Sequence, residues 1–312
     1  MARAPRPAQI GARAGVSPSC VALPPQPVPP VWASLLDFLV QRLPKVDRAT
    51  WLRRLAQGDV LDQDGQALAP LAPYRPNTRV YYYRQLDAEP ALPFEELLLH
   101  QDERLVVVDK PHFLPVTPGG RYLQQSLLVR LKRRLGIESL SPIHRIDRET
   151  AGLVLFCVRP QDRAAYQALF RQRAVDKDYL ALAAYAAELQ QPLLRRSRLV
   201  QDTGSFFRMI EVEGEYNSET RISLLEQRSA WASYRLEPRT GKRHQLRVHM
   251  NALGLPIVGD QFYPRVLRGP DETEDFSQPL RLLAQQIAFT DPISGQARRF
   301  VSQRQLDWPA AA

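Results

Sequence analysis

The sequence predicts an α+β fold, in which a central mixed, largely antiparallel β-sheet is flanked by helices and loops and follows a small N-terminal α+β module. Strand-like apolar runs and helical patterns alternate from about residue 95 without a regular βαβ repeat. A shorter pattern of two helices and two strands precedes them. The chain has 312 residues, of which 44% are apolar and 24% charged, as expected for a globular protein with a substantial core.

Residues 1–30 are rich in proline and alanine and carry no acidic residue. They contain eight prolines, six alanines and the three arginines Arg3, Arg6 and Arg13. Such a composition buries too little apolar surface to offset the entropy of ordering, so we expect a disordered basic tail. A transit peptide is the alternative, but the segment has little amphipathic pattern.

Residues 31–88 are predicted to form the small module. Leucines recur at helical spacing from Leu35 to Leu43 before Pro44, and a second helix is expected over 49–57. A short strand with a tight turn follows over 58–65, and another strand over 79–83. Two helices with basic faces followed by a hairpin resemble an S4-like RNA-binding domain. A small α+β cap with solvated arginines is the alternative.

Residues 89–312 are predicted to form the larger domain. Gly136 is expected to end its first helix as a C-cap. In chain order, the apolar patterns predict a strand over 105–108, helices over 127–135 and 162–171, and strands over 153–158, 179–184, 221–225, 231–236 and 282–289.

Charge and motifs exclude several classes of function. The 42 basic against 33 acidic residues give a net charge of +9, which favours a nucleic-acid partner. Two cysteines, Cys20 and Cys157, are too few for a disulfide framework or a Cys-pair zinc site. The sequence lacks GxGxxG, P-loop and HExxH motifs. It also lacks an apolar run of about 18 residues and a secretory h-region, so we expect a cytoplasmic protein without a membrane span.

The densest polar cluster lies at residues 142–152 and leads directly into the apolar run 153–158. Asp147 is flanked by Arg145 and Arg148, and nearby cations favour the ionised carboxylate. An ionised carboxylate on a loop above a rigid strand can act as a nucleophile. The alternative is a surface loop with ordinary ion pairs.

A second basic cluster occupies residues 239–250, where six of the eleven residues from 239 to 249 are Arg, Lys or His. Leu246 and Met250 indicate the buried face of a short helix. His244 and His249 are five residues apart, about 140° around such a helix, so they are not a chelating pair. We therefore expect packed or phosphate-facing histidines rather than a metal site. A metal-dependent hydrolase using His244, His249 and Asp260 is the less favoured alternative.

These clusters and three further segments resemble the RluA-type pseudouridine synthases. The resemblance spans roughly residues 95–300, about two thirds of the chain. The matching segments, in the expected order, are 102–111 followed by 114–116, then His144-Arg145-Ile146-Asp147-Arg148-Glu149-Thr150-Ala151-Gly152-Leu153, then 177–181, 240–249 and 254–263.

The resemblance implies a role for individual side chains. Asp147 matches the catalytic aspartate, and Tyr179 matches the tyrosine that stacks on the target uracil and assists proton removal at C5. Arg247 matches the arginine that pairs with that aspartate, and Arg145 matches the arginine that occupies the space of the flipped base. Further RNA contacts are expected from the basic residues of the two clusters, His144, Arg148, Lys242, Arg243 and His244. Two positions depart from the family pattern, Ala151 in place of Ser and Leu283 in place of His.

The resemblance also implies a reaction and a substrate class. Uridine would be isomerised in 23S-type ribosomal RNA or in tRNA, by a monomer that needs no obligate protein partner. An isomerisation needs no metal, redox cofactor or ATP, so we expect none. The alternative is a non-catalytic RNA-binding or ribosome-assembly factor that keeps the synthase fold.

Overall fold

The computed structural model describes residues 7, 9–86, 88–205, 208–267, 269, 272 and 275–310. The chain divides into two compact units. The smaller comprises residues 1–89 together with 120–124, and the larger comprises residues 90–119 and 125–312. The sequence does not indicate that residues 120–124 belong to the smaller unit, because this assignment depends on tertiary packing and not on local pattern.

The smaller unit contains two helices and a three-stranded antiparallel sheet. Ser34 caps α1 by accepting a hydrogen bond from the Asp37 N–H (3.2 Å), and the Asp37 carboxylate accepts one from the Ser34 N–H (3.1 Å). The fully buried Trp51 ring lies in a core with Phe38 and Leu39. The elements are β1 (Ser19–Ala22), α1 (Leu35–Arg42), α2 (Arg48–Ala56), β2 (Val60–Leu61) and β3 (Arg79–Tyr82), with strand order β1-β3-β2.

The expectation of a disordered tail over residues 1–30 is wrong for its described part. Strand β1 pairs with β3 from Ser19↔Tyr82 to Ala22↔Arg79, and Ile10 is 1% exposed beside Tyr81 and Tyr83. The composition of this segment was a poor guide because proline is tolerated beside an edge strand. A few apolar side chains of the segment also pack against other parts of the smaller unit. Residues 1–6 and 8 lie outside the described residues.

The larger unit is built on one mixed sheet, as the sequence predicts. All its strand pairs are antiparallel except β7 with β13. The strand order is β10-β9-β11-β12-β8-β13-β7-β5-β4, with β14 paired to β13 and β6 to β7. The strands are β4 (Leu97–Gln101), β5 (Leu105–Lys110), β6 (Ser141–Pro142), β7 (Ala151–Cys157), β8 (Val175–Ala184), β9 (Leu193–Gln201), β10 (Met209–Val212), β11 (Ser218–Arg228), β12 (Trp231–Pro238), β13 (Leu282–Thr290) and β14 (Ala297–Val301).

Three helices accompany this sheet: α3 (Leu127–Leu135), α4 (Arg163–Arg171) and α5 (Gln245–Ala252). Gly136 ends α3 with a left-handed φ of 68°, as its predicted C-cap role requires. Leu246 and Met250 of α5 pack against buried residues of strands β8 and β12. That packing fixes the N-terminus of α5 at one face of the sheet. No helix in the described part of the chain is long and apolar enough to cross a membrane.

The loop between β6 and β7 carries the first polar cluster, and Gly152 sets its distance from β13. The φ of Gly152 is +108°, and a Cβ on it would lie 2.3 Å from the Ala284 carbonyl oxygen. Only glycine allows the two parallel strands to approach so closely. Leu283, where the family commonly has histidine, is fully buried in an apolar cluster with Ala151 and Leu306. It therefore serves packing.

Candidate active site

A cavity opens between the β6–β7 loop, strand β8 and the N-terminus of α5, and it has a volume of about 510 Å³ when the open space at its mouth is included. The end of β12 and the segment after it close one side of the cavity, since Pro238, Thr240 and Lys242 line the wall. Two segments that are 100 residues apart in sequence thus face each other. Six of the predicted site residues, from the two clusters and β8, line this cavity together: Arg145, Asp147, Tyr179, Lys242, His244 and Arg247.

The Asp147 carboxylate lies at the wall of the cavity. Its side chain is 25% exposed, and its Oδ2 atom is 3.5 Å from Arg247 Nη1 and 4.0 Å from His244 Nε2. The Thr150 N–H donates to the Asp147 carbonyl oxygen at 3.2 Å, which closes the turn that presents the side chain. The Asp147 carboxylate is therefore accessible from the cavity and also lies close to the buried Arg247 guanidinium.

Arg247 is held chiefly by Asp260, not by Asp147. Its Nε donates to Asp260 Oδ2 at 2.8 Å and its Nη2 to Asp260 Oδ1 at 2.6 Å, in a buried bidentate pair. The remaining Nη1 lies 3.5 Å from Asp147 and 3.7 Å from Glu149 Oε2. Sequence reasoning considered Asp260 only as a metal ligand. A lone aspartate after Gly259 in an apolar stretch was the available signal of a buried partner.

Three carboxylates surround this one guanidinium and set its electrostatics. Burial lowers the pKa of Arg247, but Asp260, Asp147 and Glu149 together raise it above its ordinary value. Burial raises the pKa of Glu149, but the cations Arg247 and Arg148 outweigh it and lower the pKa overall. Arg247 therefore stays charged, as does Glu149 at neutral pH.

Tyr179 forms the opposite wall from strand β8. It pairs with Leu236 of β12 and Ala284 of β13, and its ring packs against the core beneath α5. Burial, and then the negative charge of Asp147, raise the pKa of Tyr179. The hydroxyl therefore remains protonated at neutral pH.

The backbone of the β6–β7 loop is held by the end of strand β5. The Lys110 side chain is fully buried, and its Nζ donates to the carbonyl oxygens of Pro111 (2.9 Å) and Arg148 (3.0 Å). His112 Nδ1 donates to the Glu149 carbonyl oxygen at 2.7 Å. Burial lowers the pKa of Lys110 to about 7 and that of His112 to about 4. Neither contact was expected, because two residues at the end of a strand give no sign of which loop they support.

The basic turn 239–242 is fastened to α5 by one glutamine. Gln245 Oε1 accepts from Thr240 Oγ1 (2.7 Å) and from the Lys242 N–H (3.0 Å), while Gln245 Nε2 donates to the Glu219 carbonyl oxygen (3.0 Å). The Lys242 side chain is exposed at the cavity. A cation is therefore presented at the cavity rim on a fixed backbone.

Some of the residues predicted to contact RNA lie at the cavity, and others lie in the interior of the protein. His144 is outside the cavity lining, since its ring stacks on Phe170 at 4.8 Å and its Nε2 accepts from the Leu155 N–H at 3.2 Å. Burial lowers its pKa to about 3, so it is a neutral acceptor within the fold. Arg148 is likewise outside the lining and its Nε donates to Glu149 at 3.1 Å. Arg243 is exposed next to the cavity.

The two histidines of the second basic cluster have different partners. His244, with a left-handed φ of 53°, lines the cavity, stacks on Phe262 and contacts the Tyr263 hydroxyl through Nδ1 at 3.1 Å. Burial lowers its pKa. His249 is fully buried, with Nε2 3.0 Å from Ser218 Oγ and Nδ1 2.9 Å from Thr220 Oγ1. His244, His249 and Asp260 thus have separate partners, and the described residues contain no group of three His, Cys, Asp or Glu side chains that could hold a metal ion.

Comparisons with known proteins agree with this arrangement. The family described as RNA pseudouridylate synthase matches residues 104–252. An uncharacterised RNA pseudouridine synthase of Synechocystis sp. is 30% identical over 233 residues, which cover 73% of this chain and 79% of the relative. A dual-specificity RNA pseudouridine synthase, RluA, of Pasteurella multocida is 33% identical over 211 residues, which cover 63% of this chain and 88% of the relative.

A solved structure shares the fold. The human RNA pseudouridylate synthase domain containing 1 superposes with a TM-score of 0.56 at 22% identity, over 70% of this chain and 86% of that chain. The segment matched by the family, residues 104–252, lies almost wholly in the larger unit, which contains the cavity. The chain belongs to the RNA pseudouridylate synthase family, the enzymes that isomerise uridine to pseudouridine in RNA.

Proposed function

We propose that Asp147 is the catalytic carboxylate and that it acts on a uridine flipped out of ribosomal RNA or tRNA. The supporting observation is accessibility. Of the three carboxylates around Arg247, the Asp147 side chain is 25% exposed and lines the cavity, whereas Glu149 is 12% exposed and Asp260 is 1% exposed. A nucleophile or base must reach the substrate, and Asp147 meets that requirement best.

In the proposed reaction the N1–C1′ bond of uridine breaks and a C5–C1′ bond forms. Asp147 either attacks C1′ or removes a proton from C2′ to give a glycal, and both routes require its charged form. The freed uracil turns within the cavity, joins C1′ through C5 and then loses its C5 proton. Because no water is consumed, one carboxylate suffices where a glycoside hydrolase needs two.

Arg145 and Tyr179 would offset the cost of flipping the base. Unstacking a nucleotide costs a few kcal/mol, and stacking on an aromatic ring returns about 1–3 kcal/mol. The Tyr179 ring lines the cavity beside Asp147, and Arg145 is exposed at the rim, where it could fill the space left in the RNA. Tyr179, whose hydroxyl stays protonated, is suited to relay the C5 proton rather than to take it as a phenolate.

Arg247 would orient Asp147 because Arg247 is itself immobile. Two of its nitrogens are bound by Asp260, so the third is directed between Asp147 and Glu149. A guanidinium fixed in this way is a preorganised positive charge beside the reacting carboxylate.

RNA binding is proposed to use the exposed cations around the cavity, with a further contribution from the smaller unit. Lys242 and Arg243 are exposed beside the site, and His244 lines it. His144 and Arg148, with partners inside the fold, are better suited to hold the loop than to meet RNA. In the smaller unit, Arg48 and Arg53 are exposed on α2, consistent with the proposed S4-like role. Replacing both by alanine should weaken RNA binding at low salt.

Tritium release tests the catalytic proposal. RNA labelled at uracil C5 loses tritium to water when pseudouridine forms, so wild-type protein should release it from total RNA of a strain lacking this gene. Asp147→Asn should abolish release while binding the same RNA. Asp176→Asn, an exposed carboxylate on β8, is the matched control and should behave as wild type. Equal release by Asp147→Asn would refute the role of Asp147.

Chemical mapping of pseudouridines in that deletion strain would identify the RNA and the uridine that this protein modifies. We further propose a cytoplasmic monomer, supported by two cysteines that are both free. Sedimentation equilibrium of the protein alone, expected at 35.5 kDa, tests the monomer.

A further inference from the structure

Lys177 lines the active-site cavity but takes part in none of the interactions described above. It lies on β8 two residues before Tyr179, so the two side chains project from the same face of the strand, roughly 7 Å apart along it. At Lys177 strand β8 still pairs with β13, through Ile287, whereas its register with β12 ends at Tyr179↔Leu236. Lys177 therefore lies just beyond the end of the pairing between β8 and β12, at the point where the cavity opens.

This lysine has no anionic partner in the described part of the chain. With the residues that the structure describes, it forms no ion pair within 4.0 Å and no side-chain hydrogen bond. Its neighbours Asp176 and Asp178 project from the other face of the strand. Burial lowers the pKa of Lys177 to about 8, and no carboxylate offsets that effect. A half-buried ammonium without a counter-charge is costly for the free protein, and a bound anion would remove the cost.

The other charged or titratable groups facing the cavity are already used. Asp147 and Arg247 form the catalytic pair, Tyr179 is the stacking ring, and His244 contacts Tyr263. Arg145 and Lys242 are exposed at the rim. Outside the cavity lining, the buried His144 ring also interacts with this lysine, because the positive charge of Lys177 adds to burial in lowering the pKa of His144. His144 is therefore neutral and supplies no counter-charge to Lys177.

We propose that the Lys177 ammonium binds a phosphate oxygen of the RNA backbone at the flipped nucleotide. This inference rests on the proposed function. A phosphodiester is the anion that every RNA substrate brings, and a flipped uridine brings its own phosphates into the cavity with it. Lys177 would thus be a binding residue for the target nucleotide, distinct from the group that performs the chemistry.

The test separates binding from chemistry in single-turnover tritium release. The probe is [5-³H]uridine-labelled total RNA from a strain lacking this gene, with enzyme in excess. The measured quantities are the maximal rate and the enzyme concentration at half-maximal rate, K½. Lys177→Ala should raise K½ about tenfold, as expected for one charge-assisted hydrogen bond, with the maximal rate within about threefold of wild type.

Salt and pH provide two further readouts. Loss of one phosphate contact should reduce the slope of log K½ against log salt by about 0.7–0.9. In the wild type, K½ should rise as pH increases through 8, because the ammonium loses its proton. Lys177→Arg keeps a cation and should hold K½ constant to pH 9.5. Arg235→Ala removes one exposed positive charge from the opposite face of the sheet, where Arg235 pairs with Leu180, and should change neither quantity.

The outcomes separate this proposal from its rivals. A fall in maximal rate at constant K½ would overturn it and assign Lys177 to the uracil oxygens. Unchanged kinetics in Lys177→Ala would also overturn it. If the wild type releases no tritium from any RNA, the proposed function fails instead. Filter binding of the same RNA would then still measure how the affinity of wild type, Lys177→Ala and Lys177→Arg depends on salt. Equal slopes of log affinity against log salt in all three proteins would exclude the phosphate contact.

Discussion

Arg247 and Asp260 form a bidentate ion pair in which the Arg247 side chain is 0% exposed and that of Asp260 is 1% exposed. The pair joins α5 to the segment after Gly259, where Asp260 Oδ1 also accepts from the Phe262 N–H at 2.8 Å. It determines where the third guanidinium nitrogen points. The position of the guanidinium nitrogen beside Asp147 is thus set by Asp260, which is not among the residues that line the cavity.

Asp260→Asn should therefore impair both stability and catalysis. Asparagine keeps one acceptor oxygen but leaves a buried guanidinium without its main counter-charge, which costs about 3–5 kcal/mol in unfolding free energy. The maximal rate of tritium release should fall at least about tenfold because Nη1 is no longer directed at Asp147. Urea denaturation and single-turnover assays measure the two effects.

The matched control is Glu237→Gln. Its side chain is 40% exposed and lies 3.8 Å from Arg221, so its removal should change stability by less than about 1 kcal/mol. If Asp260→Asn leaves the rate unaltered in folded protein, the orienting role of the pair is wrong.

Tyr179→Phe should separate stacking from proton transfer. Phenylalanine keeps the ring face and loses only the hydroxyl, so RNA affinity should remain within about threefold. Tritium release should fall about 100-fold or more if the hydroxyl relays the C5 proton. Tyr166→Phe is the control, because Tyr166 donates to Asp291 at 2.8 Å in the interior and should lose stability without loss of rate.

His144→Gln should alter the acid stability of the protein. The pKa of His144 is about 3 in the folded protein against 6.5 as its ordinary value. Between these values the unfolded chain binds more protons, so stability falls as the pH drops from 6.5 towards 3. From pH 7 to 5 the wild type should lose about 2 kcal/mol relative to the variant in urea denaturation.

The same variant also tests whether His144 contacts RNA. Since its ring faces Phe170 and the backbone of β7, RNA affinity at pH 7.5 should be the same in His144→Gln and wild type. A tenfold loss of affinity in a variant of normal stability would restore the RNA contact that the resemblance implied.

Gly152→Ala should disrupt the contact between β7 and β13. The new Cβ would lie 2.3 Å from the Ala284 carbonyl oxygen in a backbone conformation with φ of +108°, so unfolding free energy should fall by about 3 kcal/mol or more. Gly136→Ala, with φ of +68° and nothing within 4 Å of its Cβ, should cost about 1–2 kcal/mol. Thermal denaturation of both variants distinguishes the clash from the backbone strain. Similar losses would show that β13 can move aside.

Local pattern was enough to predict much of the fold. Strand β7 is a continuous apolar run, apolar runs make up residues 105–108 of β5 and 179–184 of β8, and helix α3 has a clear leucine spacing with a glycine cap. Strands β9 and β14 escaped prediction because adjacent arginines interrupt the apolar residues of their sequences, LLRRSRLVQ and ARRFV, and leave no regular alternation. Strand β9 gains its partners from β10 and β11, contacts that local pattern does not specify.

The sequence by itself determined the fold class and the family, and it singled out Asp147, Tyr179 and Arg247 as the proposed reaction residues, because each lies in a short segment with a recognisable order of residues. Only the tertiary structure decided which of the neighbouring cations face the cavity. Lys177 faces it and His144 faces the interior, since strand direction and loop closure orient a side chain and spacing along the chain does not. It also decided that Asp260 holds Arg247, because a buried guanidinium must be satisfied by whichever carboxylate the fold brings within reach.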